Sequence, residues 1–292
     1  MKLLITGAAG QLGFELRRAL APLGGITAVD RAECDLADAD AIRALVRGLQ
    51  PDVIVNAAAY TAVDRAEQDT ALAQAINGDA PGVLGAEAAR LGAQVVHFST
   101  DYVFNGTQAD PYAETDRPDP QNVYGLTKLA GETALAASGA RHLIFRTSWV
   151  VGAHGGNFAR TMLRLAQERD SLGVVADQVG APTSAALLAD VTAHAIRAGQ
   201  DLAGGLYHLT AGGRTDWHAY ACHVIERARA AGRPIRVAPD AIRPITSADY
   251  PTPARRPANS CLDTQKIRAA LGIHLPDWRD GVDHVLDHWL ET

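Results

Sequence analysis

Three glycines at three-residue intervals, Gly7, Gly10 and Gly13, stand directly after a short apolar run at residues 2–6 and open a helix-period segment at 11–21. Glycine lets the backbone turn tightly and approach a ligand closely. A helix that opens at such a turn points free N–H groups and the positive end of its dipole outward. A strand feeding a helix through this turn is the first half of a βαβ unit. The feature therefore commits the chain to a parallel sheet with a phosphate-rich ligand at its carboxyl end.

The first half of the chain continues the alternation. Apolar, β-branched runs predict strands over 26–30, 53–56, 94–99 and 142–147, separated by helices over 40–49, within 69–91, and over 124–137. Unbroken apolar strands are buried on both faces, which predicts a doubly wound, Rossmann-like α/β fold. Beyond residue 150 the pattern loosens into Gly- and Pro-rich loops at 152–156, 180–182 and 239–257. Helices remain legible at 158–168, 186–197, 217–231 and 277–290, with a strand at 206–209. The expected division is a dinucleotide-binding domain over 1–150, with 184–210 returning to it, and a smaller substrate-binding region from 151–183 and 211–292.

At 292 residues the chain can bury a large core, and its net charge of -6 offers no basic face to nucleic acid or anionic lipid. No secretory apolar core and no membrane-length apolar span is present, so a soluble, cytoplasmic protein is expected. Cys34, Cys222 and Cys261 are far apart and lack paired spacing, which predicts reduced thiols rather than disulfides or a zinc site. His284 and His288 share a helix face but read as a solvated helix end, and no metal is assigned.

In the glycine turn, Gln11 and Leu12 complete the set of backbone groups expected around a pyrophosphate. Asp30 ends the second strand 20 residues after Gly10, where an acid hydrogen-bonds an adenosine ribose and favours NADH. Arg31 follows at once and suits the 2′-phosphate of NADPH, so both cofactors stay open. Asp35 and Leu36, with Ala57, Ala58 and Ala59 after the third strand, are expected beside the adenine and the nicotinamide ribose.

Tyr124 and Lys128 are four residues apart at the start of a helix and project from one face. A phenol is a poor acid–base group at neutral pH unless a cation lies near, and Lys128 is expected to supply that charge. Only Lys2, Lys128 and Lys266 are lysine. With 7 Tyr and 3 Lys in 292 positions, chance predicts roughly 0.07 such pairs. Thr100 ends a parallel strand, where it can hydrogen-bond the carbonyl oxygen that Tyr124 protonates.

The glycine turn, Ser99-Thr-Asp101 and the Tyr124/Lys128 pair together resemble the extended short-chain dehydrogenase/reductase family. Further segments narrow the likeness: Ala57-Ala-Ala-Tyr-Thr-Ala-Val-Asp64, Ser99-Thr-Asp-Tyr-Val-Phe104, Tyr124-Gly-Leu-Thr-Lys128, Arg146-Thr-Ser-Trp149, Gly156-Asn-Phe158, Asp177-Gln178, Ala181-Pro-Thr183 and Arg256-Pro257. With these the chain resembles the dTDP-4-dehydrorhamnose reductases from residue 3 to about residue 290. The resemblance implies NAD(P)H-dependent reduction of the 4-keto group of a dTDP-linked 4-keto-6-deoxyhexose, giving dTDP-L-rhamnose.

By that resemblance Tyr124 is the general acid, Lys128 its activator and a ribose ligand, and Thr100 the carbonyl partner. Thr61, Val63, Asp101, Tyr102 and Trp149 are implied as substrate contacts, with Asn157 and Arg256 near the diphosphate. A homodimer is compatible with the sequence but not specified by it. Two rivals stand beside this reading: a nucleotide-sugar epimerase or dehydratase, and a non-catalytic dinucleotide-binding regulatory subunit. Related 4,6-dehydratases carry, by resemblance, a carboxylate pair after the threonine, whereas here Tyr102 follows Asp101. The intact Thr100, Tyr124 and Lys128 set opposes the regulatory subunit, because a binding module needs no proton donor.

Overall fold

The computed structural model describes residues 1–290. β1 (Lys2–Thr6), α1 (Gln11–Leu20), β2 (Gly25–Val29), α2 (Ala39–Leu49) and β3 (Val53–Asn56) open the chain. Two one-turn helices, α3 (Val63–Ala66) and α4 (Thr70–Ala73), lead through a π-helical turn at Gln74–Asp79 into α5 (Ala80–Leu91). β4 (Gln94–Thr100), α6 (Val123–Ala137) and β5 (Arg141–Thr147) follow. The second half holds β6 (Val150–Val151), α7 (Phe158–Glu168), β7 (Leu172–Val175), β8 (Val179–Gly180), β9 (Thr183–Ser184) and α8 (Ala185–Ala198). It ends with β10 (Gly205–His208), β11 (Thr215–Asp216), α9 (Trp217–Ala230), β12 (Ile242–Ile245), α10 (Gln265–Leu271) and α11 (Trp278–Leu290).

Six strands pair in parallel in the order β10-β5-β4-β3-β1-β2. The chain steps from β1 to one side and then returns to the other, so the strand order reverses between β1 and β3. That is where a doubly wound sheet opens its ligand crevice. The returning strand predicted near 206–209 is β10, on the edge beside β5, and α8 packs on α1.

Alternate side chains of each strand fill two apolar layers. Leu3, Ile5, Val55 and Val96 pack with Leu12, Leu16 and Leu20 of α1 and Leu188 of α8. Leu4, Ile54 and Val95 pack on the opposite face with Ile42 and Val46 of α2 and Leu84 of α5. Each fully buried aliphatic side chain contributes about 1.5–3 kcal/mol, so these layers fix which strand lies where.

The structure differs from the sequence expectations at particular elements. β2 is an edge strand with alternating exposure, not one buried on both faces. The helix expected within 69–91 runs without a gap over 70–91 but carries a π-helical turn, which faces Asn77 toward Tyr60: Asn77 accepts from the Tyr60 N–H and donates to its carbonyl. The stretch 239–257, expected as loop, contains β12 paired in parallel with β7, and in 180–182 Gly180 ends the short strand β8 while 181–182 joins it to β9. Cys34, Cys222 and Cys261 are free thiols. No helix among the described residues is long and apolar enough to cross a membrane.

Candidate active site

The glycine turn sits at the strand reversal. Gly7 has φ +75, a conformation that disfavours any side chain, and a Cβ there would lie 2.7 Å from the Ala58 N. A Cβ on Gly13 would fall 2.0 Å from the Gly7 carbonyl oxygen, so the first turn of α1 packs directly on the loop. Gly10 caps α1 with no side-chain cap bond, and no acidic residue occupies the first turn. The first N–H groups of a helix lack intrahelical partners, so those of Gln11, Leu12 and Gly13 form a bare positive end between Gly7 and Ala57–Ala59. This cradle fits the pyrophosphate of a dinucleotide.

At the end of β2, Asp30 accepts a 2.7 Å bond from the Ala32 N–H, which together with Glu33 holds its carboxyl below the usual range. Arg31 is exposed and reaches Asp35 at 3.3 Å, while Asp35 also accepts from the Ala37 N–H. Leu36 is buried in the core beneath this loop. An anion and an exposed guanidinium thus stand side by side where an adenosine ribose would lie.

The catalytic candidates meet at the carboxyl ends of β4 and the start of α6. Asn122 caps α6 by accepting from the Gly125 N–H at 2.8 Å, and its own amide holds the Arg255 carbonyl at 2.7 Å. Gly125 admits the close approach of the helical turn 101–103 after β4, because a Cβ there would lie 2.2 Å from the Tyr102 carbonyl oxygen. Tyr124 and Tyr102 meet edge-on, their ring centres 5.5 Å apart. Thr100 donates to Asp101 at 3.0 Å and accepts from the Tyr102 N–H at 3.1 Å.

Burial pushes the Tyr124 phenol up to about 12, the Asp101 charge adds to the rise, and the Thr100 hydroxyl works against it. Burial also lifts the Asp101 carboxyl to about 6, opposed by hydrogen bonds from Ser260 and Thr100. Burial lowers Lys128 to about 8, opposed by the charge of Glu132. The Lys128 ammonium expected to activate Tyr124 is turned under the end of the sheet, where Nζ lies 2.5 Å from the Phe98 carbonyl and 3.4 Å from His97 Nε2. The phenol is thus a proton donor kept fully protonated, rather than one drawn toward phenolate by the lysine.

A cavity of about 940 Å³ is lined by Asp64, Phe158, Arg169, Trp217, Arg255 and Arg256, among others, and of the substrate candidates only Arg256 lines it. Thr61 and Val63 lie just before and at the start of α3, next to Asp64. Trp149 adopts φ +49, rare for a bulky residue, and stacks on Trp217 with ring centres 3.6 Å apart. Trp217 is fixed in turn by a bond from Nε1 to Gln178 at 3.2 Å. Arg256 grips Asp64, and Asn157 caps α7 while donating to the Gln11 side chain at 2.9 Å. Asn157 therefore joins the dinucleotide turn to the second region, a role not expected from sequence.

Three residues that the sequence reading missed complete the site. Thr6, Asn56 and His97 occupy one register row across β1, β3 and β4, and all three are buried. Their only sequence signal is a polar residue breaking an apolar strand run. Among the described residues, no three His, Cys, Asp or Glu side chains converge as a metal site.

Residues 1–291 match the RmlD substrate binding domain family. The chain is similar to the dTDP-4-dehydrorhamnose reductase of Burkholderia thailandensis, 50% identical over 288 residues and covering 97% of each chain. It superposes on a crystal structure of a dTDP-4-dehydrorhamnose reductase from Clostridium acetobutylicum with TM-score 0.93 and 35% identity, over 100% of both chains. Against the Bacillus anthracis dTDP-4-dehydrorhamnose reductase in complex with NADP, TM-score is 0.90 and identity 32%, covering 100% of this chain and 99% of that one. Full-length similarity on this scale, on the parallel sheet and glycine turn described above, places the chain in the RmlD substrate binding domain family, among the dTDP-4-dehydrorhamnose reductases.

Proposed function

We propose that the protein reduces the 4-keto group of dTDP-4-dehydro-L-rhamnose to give dTDP-L-rhamnose, with NADPH or NADH as reductant. The observation that carries the chemistry is the Tyr124 phenol at the start of α6, raised by burial, beside Thr100 and edge-on to Tyr102 at the carboxyl end of β4. When bound, the nicotinamide supplies the hydride that reaches C4.

The N–H groups of Gln11, Leu12 and Gly13 would hold the pyrophosphate, Gly10 keeping its own N–H on the Gly7 carbonyl, and Gly7 and Ala57, Ala58 and Ala59 leave room for it. Asp30 and Arg31, with Asp35 and Leu36 behind them, receive the adenosine end, the acid suiting a free ribose and the guanidinium a 2′-phosphate. Lys128 would hold the nicotinamide ribose once Nζ turns from the Phe98 carbonyl. Tyr124 gives its proton to the oxygen at C4 as charge develops there, and Thr100 steadies that oxygen once its hydroxyl turns from Asp101. General acid assistance of this kind contributes on the order of 10²–10⁴ in rate.

On the substrate side, Thr61, Val63, Asp101, Tyr102 and Trp149 shape the sugar pocket. The cavity with Arg169, Arg255 and Arg256 on its wall receives the nucleotide and its diphosphate, guanidinium groups being suited to phosphate. Asn157 acts by bracing Gln11. Residues 1–150 with 184–210 form the dinucleotide-binding part, supported by the pairing of β10 with β5, and 151–183 with 211–292 form the substrate-binding part. Tyr102, packed edge-on to Tyr124, stands where an eliminating enzyme would need a second acid.

The test is loss of NADPH or NADH absorbance when the purified protein meets dTDP-4-dehydro-L-rhamnose. Stoichiometric cofactor consumption is expected. Absence of oxidation with this substrate, or a tightly held NAD⁺ that turns over without net consumption, overturns the assignment.

A further inference from the structure

A parallel sheet buried on both faces rarely tolerates polar side chains in its middle, because each costs free energy unless fully bonded. Here three stand side by side. Thr6 pairs with Asn56 and Asn56 with His97 across β1, β3 and β4, and each is 1% exposed. The row ends against Lys128, also 1% exposed.

The donors and acceptors along this row form a directed chain. The Thr6 hydroxyl donates to Asn56 Oδ1 at 2.6 Å, so the amide nitrogen of Asn56 is the end left for His97 Nδ1, 3.0 Å away. An Nδ1 that accepts leaves the proton of a neutral imidazole on Nε2. Nε2–H then points at Lys128 Nζ, 3.4 Å away, and an amine can accept that bond whereas an ammonium cannot. The Phe98 carbonyl, 2.5 Å from Nζ, is satisfied by either form.

We infer that His97 is a positioning residue for Lys128, and that Thr6 and Asn56 select the His97 tautomer that receives Lys128 as a neutral amine. When Lys128 is an ammonium, the row must reverse: Asn56 turns its amide, His97 carries its proton on Nδ1, and the Nε2 lone pair accepts from Nζ. The charge of Lys128 and the tautomer of His97 are therefore one coupled equilibrium.

Other groups bear on this equilibrium. Glu132, one turn further along α6, favours the ammonium, but its carboxylate is already shared between Arg146 and Ser99. From β4, burial and the Lys128 charge hold the His97 imidazole well below its usual range, so the ring stays neutral and acts through its tautomer. Asn56 and Thr6, from β3 and β1, are neutral. Tyr124, one turn back on α6, stays protonated through this range.

The inference deepens the role given to Lys128 in the proposed reduction, and its test reads the lysine directly, independent of turnover. Because Lys2, Lys128 and Lys266 are the only lysines, the full-length protein labelled with ¹³C at lysine Cε gives three titrating positions, assigned by K2R and K266R. Lys128 is expected to titrate near 8 in the wild type. Thr6→Val leaves Lys128 as buried as before but frees the Asn56 amide to turn. His97→Asn keeps a partner for Asn56 while withdrawing Nε2–H from Nζ. Each is expected to raise the Lys128 midpoint by about half to one pH unit, the worth of one lost hydrogen bond.

Histidine ¹⁵N shifts of the wild type should show His97 exchanging its proton from Nδ1 to Nε2 as Lys128 loses its charge. An unchanged Lys128 midpoint in folded Thr6→Val overturns the inference even where His97→Asn fails to fold. So does a His97 tautomer that stays fixed while Lys128 titrates. Inactivity toward the proposed sugar would leave all these readings intact and count only against the substrate.

Discussion

Arg256 grips Asp64 with both terminal guanidinium nitrogens, at 2.9 and 2.7 Å, and so ties the segment after β12 to the helix that follows β3. The same guanidinium also donates to Thr252 and to the Ala254 carbonyl, so one side chain closes the loop it belongs to and fixes that loop on the first region. The pair holds the Asp64 carboxyl below its ordinary value of 3.8. Its contribution is therefore present above that value and is lost only as pH falls through the lowered one.

Because Arg256 lies on the cavity wall, its loss should weaken substrate binding more than chemistry. A hydrogen bond to a charged group contributes about 1.5–3 kcal/mol, and about 1.4 kcal/mol is a factor of ten. Arg256→Met is expected to raise KM for the dTDP-sugar by about tenfold or more with kcat little altered. Arg256→Lys should fall close to the Met variant, since a single ammonium cannot reproduce the two-point grip. Steady-state kinetics on both variants checks this; an unchanged KM removes Arg256 from the substrate site.

Asp101 offers a prediction in which stability and activity part company. Its carboxyl is 2% exposed and lifted from 3.8 to about 6, so the folded protein holds a proton there that the unfolded chain releases. The resulting destabilisation is absent below the unfolded value, grows as pH rises between the two, and is complete above about 6. At about 1.4 kcal/mol per pH unit, Asp101→Asn should be more stable than the wild type by up to about 3 kcal/mol at neutral pH. The gain should vanish near the unfolded value. Urea unfolding of both proteins across this range tests the sign, and turnover should fall in the same variant because Asp101 orients Thr100.

Much of this site is legible in the sequence, and what is not has identifiable reasons. The spacing of Tyr124 and Lys128 places both on one helix face, and they are there. Spacing does not say which way a long side chain turns, and Nζ went beneath the sheet to His97 rather than toward the phenol. Gly7 and Gly13 are legible because only glycine fits their backbone or contacts, and Gly10 completes their spacing. Asn157 has the chemistry of a phosphate ligand, yet its amide is engaged by a helix cap and by Gln11, a partner 146 positions away that no local pattern reveals. β12 escaped because Pro244 marks a loop to any local reading, although a short two-stranded ladder tolerates it. The positive φ of Trp149 follows from tertiary contact with Trp217 and Gly180, and nothing near it in the chain calls for it.

The buried pair of Glu132 and Arg146 should behave as a unit. Arg146 donates to both carboxylate oxygens, at 2.8 and 2.6 Å, Ser99 adds a third bond, and the guanidinium lies over the Phe104 ring. The side chains are only 7% and 3% exposed, so removing one partner strands a charge out of water. Arg146→Met alone is expected to cost about 3–5 kcal/mol, whereas adding Glu132→Leu should restore most of the loss, because a matched apolar pair leaves no charge unpaired. Denaturant unfolding of the two single variants and the double variant measures this as a mutant cycle.

Tyr124→Phe isolates the proton donor. The pyrophosphate cradle lies on the glycine turn rather than at Tyr124, and the ring keeps its edge-on contact with Tyr102, so the variant should fold and retain NADPH affinity within about threefold. Turnover should fall by about 10² or more, the usual contribution of a placed general acid. In the wild type the Tyr124 proton is secure up to about 12, so the first loss of rate on raising pH belongs to Lys128 near 8. Below that value the ammonium is present. Above it the charge is lost, and kcat/KM should decline with a single apparent proton. A profile that stays flat to well above that point would show that the lysine charge is not needed, and wild-type turnover by Tyr124→Phe would show that another group delivers the proton.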